Sequence, residues 1–148
     1  MKIPAILKIS AAALAISISL YAADGQSPGK AETGKTAHEV KAGHKDIDPA
    51  TFDQLRRNDT NTVVLDVRTK KEYREGHIPG AVLLDFNSPN FDEEVAKLDK
   101  SKTYLVHCAA GGRSTKACKK MERLDFSKLY NLEGGMGAWK KAGKPVEK

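Results

Sequence analysis

From Asp46 to the C-terminus, short unbroken apolar runs alternate with stretches in which apolar residues recur every three or four positions. Val63-Val64-Leu65, Ala81 to Leu84, Thr103 to His107 and Lys128 to Leu132 have the length and character of strands buried on both faces. Between them, Phe52 with Leu55, then Phe91, Val95 and Leu98, then the stretch from Gly112 to Leu124, and last Met136 to Ala142, follow helical spacing. The punctuation agrees with this pattern. Asp48 precedes a proline at the first helical position, Thr69 can cap a short helix from Lys70 to Arg74, and Gly76 to Gly80 form a turn cluster. Strands that alternate with helices, and that lack in–out polarity, predict an α/β fold: a parallel sheet of about five short strands with helices on both faces. Functional loops of such sheets gather at the carboxyl ends of the strands, where both Asp66-Val67-Arg68 and Cys108 fall.

The region before this pattern has a different character. Lys2 and Lys8 bracket a basic start, Ile9 to Tyr21 form an apolar stretch diluted by serines, and Ala22-Ala23 precede Asp24. Residues 1–23 read as a secretory signal peptide, which places the protein in an exported, periplasmic setting. The rival reading is an uncleaved anchor, for which the stretch is short, and only then is a membrane a partner. Residues 24–44, rich in Gly, Ser, Lys, Glu and Thr, predict a flexible linker, with His38 and His44 solvated. The folded domain is expected over residues 45–148.

Composition adds one asymmetry. The chain has 148 residues and a net charge of +6, with 25 Lys/Arg against 19 Asp/Glu. Residues 100–148 hold twelve of the basic residues and only four acidic ones. The basic residues are interrupted by acids and not interleaved with aromatics, so nucleic acid is not the expected partner. Steering a small anion toward Cys108 is one use of such a field, and a solvated lysine-rich face at Lys116, Lys119 and Lys120 is the plainer one. No cluster of ligand-type residues predicts a metal, and no cofactor is implied.

The segment Tyr104-Leu-Val-His-Cys108-Ala-Ala-Gly-Gly-Arg-Ser114 carries the chemistry. An apolar strand delivers Cys108 into a loop of small residues, with a helix beginning beyond it. The N–H groups of Ala109, Ala110, Gly111, Gly112 and Arg113, the helix N-terminus and the Arg113 guanidinium can converge on an anion there. Cys108 is therefore expected to be a nucleophile of lowered pKa. Ser114 is expected to orient the loop, and His107, on the opposite face of the strand, to be structural or partly exposed. Cys118, nearly two turns along the helix, is expected to be buried and apolar; a disulfide or resolving role is the alternative.

Leu65-Asp-Val-Arg68, Glu72-Tyr73, Gly76-His-Ile-Pro-Gly-Ala81, Cys108 with Arg113-Ser114, Gly134-Gly-Met-Gly-Ala-Trp139 and Gly143-Lys-Pro-Val146 together resemble the single-domain rhodaneses, small exported ones in particular. The resemblance runs from about residue 46 to the C-terminus. It implies a thiosulfate sulfurtransferase: Cys108 takes a sulfane sulfur from thiosulfate or a polysulfide, holds it as a persulfide, and passes it to cyanide or a thiol. It also implies that Asp66 and Arg68, possible cleft residues by position, pair with each other. Four residues separate Cys108 from Arg113, whereas the related phosphatases have five, so phosphatase or arsenate reductase activity is the lesser alternative. A non-enzymatic persulfide carrier, a sulfide- or redox-sensing module and a tethered binding domain remain open at this point. Trp139 is expected to pack the last helix onto the sheet, its indole N–H finding a carbonyl.

Overall fold

The computed structural model describes residues 43–148. The predicted signal peptide, 1–23, and residues 24–42 of the predicted linker, including His38, lie outside the described residues. In chain order the elements are β1 (Lys45–Ile47), α1 (Pro49–Asn58), β2 (Thr62–Asp66), α2 (Lys70–Glu75), β3 (Val82–Leu83), α3 (Phe91–Ala96), β4 (Thr103–His107), α4 (Gly112–Arg123), β5 (Leu129–Leu132) and α5 (Gly135–Lys141). The five strands form one sheet in the order β1-β5-β4-β2-β3, and every pairing is parallel. None of these helices is long and apolar enough to cross a membrane.

Period-2 alternation along the strands divides the core into two layers. Leu65, Tyr104, Val106 and Leu129 point toward α3 and α4, where they meet Phe91, Val95, Ala117, Cys118 and Met121. Val64, Leu105 and Leu132 point the other way, against Phe52 of α1 and Met136 and Trp139 of α5. Strand β4 lies at the centre of the sheet, covered on both faces, so the residues that follow it are held by the most buried part of the molecule. Trp139 is fully buried edge-on to Phe52 at 5.8 Å, and its Nε1–H donates to the Pro145 carbonyl at 2.8 Å. The indole thus fastens both α5 and the chain end that follows it.

Helix starts are set as the sequence indicates. The Asp48 carboxylate accepts from the Ala50 and Thr51 N–H groups, and Thr69 with Glu72 forms a reciprocal capping box. Strand β1 is absent from the pattern reading because it has three residues at the sheet edge and only Ile47 is an apolar half-buried one. The expected solvation of His44 is corrected: its main-chain N–H and Nδ1 both lie 2.6 Å from Glu122 Oε1 on α4. The end of the predicted linker is therefore tied to the sheet's flanking helix.

Candidate active site

Strand β4 ends at His107, Cys108 follows it directly, and alternation sends the two to opposite faces. His107 is wholly buried, edge-on to Phe52 at 6.2 Å. Cys108, only 2% exposed, belongs to the α4 side. Its Sγ accepts the Gly111 N–H at 3.1 Å, and the Ser114 hydroxyl lies 3.4 Å away. Gly111 adopts φ +101°, a conformation an L side chain resists, and this turn swings its N–H back toward the sulfur. Burial pushes the Cys108 pKa up; the Ser114 hydroxyl and the N–H groups of Ser114, Ala110 and Gly111 outweigh it, so the net shift is downward. Donors aimed at one atom favour its anionic form, so the thiolate is the species this loop is built around. Alkylation of Cys108 is accordingly expected to rise with pH through a midpoint below 9.0, the ordinary thiol value, when followed with iodoacetamide across pH.

The loop residues predicted from sequence do not all act alike. Among the described residues, the hydrogen bonds to the sulfur come from the Gly111 N–H and the Ser114 hydroxyl. Ser114 has one hydroxyl proton for two acceptors, and the Gly111 carbonyl at 2.9 Å is nearer than the sulfur. The first turn of α4 has no side-chain cap, so its N–H groups remain directed at the space before the helix.

The far side of the loop rests on α5. Met136 N–H donates to the Cys108 carbonyl at 2.8 Å and Gly137 N–H to the Ala109 carbonyl at 3.0 Å. Backbone can approach that closely because residue 135 is glycine: a Cβ there would lie 2.5 Å from the Cys108 oxygen. Sequence reading singled out Gly134-Gly135 as part of a motif and missed this contact, which joins segments distant along the chain.

Arg113 is placed differently from the expectation of a guanidinium turned to the loop anion. It forms a fork-to-fork pair with Glu72, Nη1 to Oε2 at 2.8 Å and Nη2 to Oε1 at 2.6 Å. Glu72 stands in the family motif read from the sequence, but its pairing with Arg113 was not foreseen. Hydrogen bonding from Arg113, opposed by burial and aided by Thr69, holds the Glu72 pKa at about 2. The stabilisation from this pairing is complete above the ordinary carboxylate pKa and is lost only as pH falls toward about 2. Arg113 still feels Cys108, whose charge adds to that of Glu72 in raising its pKa.

A cavity of about 250 Å³ opens beside the loop, lined by Ala109, Arg68, Glu72, Glu75, Met136, Gly137 and Lys140. Of the two possible cleft residues, Arg68 lines it and Asp66 stands behind, fully buried. Asp66 Oδ2 accepts Arg68 Nη2 at 2.6 Å, Oδ1 accepts Nε at 2.9 Å, and Nη2 also reaches the Gly76 carbonyl. The two side chains are engaged with each other, and Arg68 also with the Gly76 carbonyl, while Arg68 still borders the cavity.

Of the two expectations for His107, structural or partly exposed, its full burial excludes the second. Burial, opposed by Asp66 at 3.6 Å and aided by Arg68, pushes its pKa down to about 4, and neither ring nitrogen has a hydrogen-bond partner among the described residues. A neutral, enclosed ring facing away from Cys108 cannot serve it as a base. Between pH 6.5 and about 4 the unfolded chain binds a proton that the folded one refuses, so stability should fall by a few kcal/mol as pH drops through that window. Urea unfolding of wild type and of His107→Phe across that range checks this, the variant being expected to lose most of the dependence. Cys118 is fully buried and free, and burial pushes its pKa up to about 12.

The chain is similar to known proteins. The model of the Rhodanese-like domain family matches residues 48–142. The chain is 37% identical to YtwF of Bacillus subtilis over 101 residues, 68% of this chain and 95% of that protein. It is 33% identical over 93 residues to thiosulfate sulfurtransferase 16, chloroplastic, of Arabidopsis thaliana, 56% of this chain and 78% of that protein. The crystal structure of a rhodanese-related protein from Thermoplasma volcanium superposes with a TM-score of 0.61 at 30% identity, covering 70% of this chain and 98% of that one. The sheet order, the cysteine at the end of its central strand and these likenesses converge: the chain belongs to the rhodanese-like family and has sulfurtransferases among its homologues.

Proposed function

We propose that the protein is a sulfurtransferase that works through a persulfide on Cys108, with thiosulfate or a polysulfide as donor and cyanide or a thiol as acceptor. The observation that carries this reading is the Gly111 N–H at 3.1 Å, with the Ser114 hydroxyl at 3.4 Å, directed at one recessed sulfur atom. In the first step the Cys108 thiolate attacks the outer sulfur of thiosulfate. A sulfur–sulfur bond forms to Sγ, the bond to the sulfonate sulfur breaks, and sulfite leaves with that electron pair. In the second step cyanide attacks the outer sulfur, thiocyanate leaves, and the thiolate returns. Both steps keep one negative charge at the loop, and donors already in place need no reorganisation as it moves outward.

The apolar stretch in residues 1–23 supports export, and the near-complete enclosure of Cys108 suits a thiol that must stay reduced outside the cytoplasm. A single-use sulfur carrier is the second reading. It is favoured by the engagement of Arg113 with Glu72, which leaves less free positive charge for a dianionic donor. Thiocyanate formation from thiosulfate and cyanide separates the two: many equivalents per protein are expected, whereas one equivalent followed by a stall would mark a carrier.

The same ion pair yields a charge prediction. Arg113→Ala removes a cation and also frees the Glu72 carboxylate at the mouth, so loading by thiosulfate should slow on the order of tenfold or more at low salt. Glu72→Gln in the same chain should restore part of that loss. Loading rates of both variants at low and high ionic strength are the measurement; equal rates for wild type and Arg113→Ala at low salt would contradict the anion role.

A further inference from the structure

Helix α4 carries a basic ridge. At about 100° per residue, Arg113, Lys116, Lys119, Lys120 and Arg123 fall within an arc of roughly 120°, and the buried Ser114, Ala117, Cys118 and Met121 face away from it. Two of these cations are matched in place, Arg113 by Glu72 and Lys120 by Asp92 at 2.6 Å. Lys116, Lys119 and Arg123 have no ion-pair partner among the described residues. Beside the ridge, half-buried Phe86 packs on Phe91, with Lys120 Nζ 5.9 Å above each ring. Phe86 and the lysines enclose a concavity of about 240 Å³.

The position of the ridge limits its occupant. It begins at Arg113, beside the cysteine loop, and runs about 15 Å along the helix. That length is far more than thiosulfate or cyanide needs and suits about five residues of extended chain. Its Arg113 end adjoins the cysteine loop, so a chain lying along it in one of its two directions is led toward Cys108. Lipid headgroups and nucleic acid phosphates would match the charge but bring no thiol to the loop.

We propose that this ridge docks an acidic segment of a protein that accepts sulfur from Cys108. The inference rests on the persulfide reading given above. The acceptor's thiolate attacks the outer sulfur of the Cys108 persulfide, and a sulfur–sulfur bond forms on the acceptor. The bond to Sγ breaks with its electron pair returning to Cys108. No external oxidant or reductant enters.

The test uses the full chain and two synthetic peptides, each a cysteine and two glycines followed by five glutamates or by five glutamines. From thiosulfate-loaded protein at low salt, transfer to the glutamate peptide is expected to be about tenfold faster or more. The advantage should vanish at high salt and in Lys116→Gln/Lys119→Gln/Arg123→Gln, while loading of that variant at saturating thiosulfate stays at the wild-type level. Equal rates for the two peptides, or an advantage that survives in the triple variant, would overturn the proposal. A fluorescent glutamate peptide with serine in place of cysteine reads docking to unloaded protein. Should Cys108 fail to load while this peptide still binds through the three cations, the persulfide reading fails and the ridge does not. Binding of phosphatidylserine vesicles, with no binding of the peptide, would also overturn it.

Discussion

Cys108→Ser is expected to abolish sulfur transfer, and Cys118→Ser to keep most of it. The two thiols border the same core layer but differ in what surrounds them. Cys108 has donors on its sulfur that favour the thiolate, against its burial. Cys118 lies in the layer between α4 and the sheet, where burial raises its pKa to about 12 and keeps it protonated. A serine hydroxyl at position 108 neither ionises near neutral pH nor forms a persulfide, so a loss of at least about a thousandfold in thiocyanate production is expected. At position 118 the cost is one of stability, about 1–3 kcal/mol for a hydroxyl placed among apolar groups. Equal loss of activity in a folded Cys118→Ser protein would point to a two-cysteine mechanism instead.

Gly135→Ala should damage the site from behind. The new Cβ would lie 2.5 Å from the Cys108 oxygen and 2.8 Å from the Ala109 carbonyl carbon, at a residue whose φ is +56°. Backbone cannot yield as a flexible side chain can, so α5 must retreat and lose its two N–H bonds to the loop. Added strain and lost hydrogen bonds together suggest about 2–4 kcal/mol of destabilisation. The loop donors should lose their aim as well, moving the midpoint of Cys108 alkylation upward toward the ordinary thiol value and slowing transfer. Gly112→Ala is the matched control, since a Cβ there meets nothing within 4 Å and φ is not in the positive range. Urea unfolding and the pH profile of alkylation distinguish the pair; identical behaviour of the two variants would show that α5 does not brace the loop.

Much of this was legible in the chain because its causes are local. Caps at Asp48 and Thr69 operate within three or four residues, and the strands β2 and β4 announce themselves through continuous apolar runs. The cysteine loop is equally local: strand, small residues and helix start all lie within Tyr104 to Ser114. The remainder depends on contacts between distant segments. Arg113 and Glu72 are 41 residues apart, and nothing near Arg113 says that a carboxylate will occupy its guanidinium. His44 meets Glu122 across 78 residues, so a histidine in a polar stretch read as solvated. Strand β1 has too few apolar residues to register in a pattern and exists because β5 offers it an edge. His107 showed its face by alternation, but its full enclosure came from Phe52 and Asp66, which arrive from other elements.

The persulfide itself is the most direct readout of the proposed chemistry. Full-length protein treated with thiosulfate, freed of excess reagent and digested without reductant should yield the Cys108 peptide heavier by one sulfur atom. Cyanide should remove that sulfur, and the Cys118 peptide should be unchanged. An unmodified Cys108 peptide, from protein whose Cys108 is shown by alkylation to be a free thiol before treatment, would contradict the account.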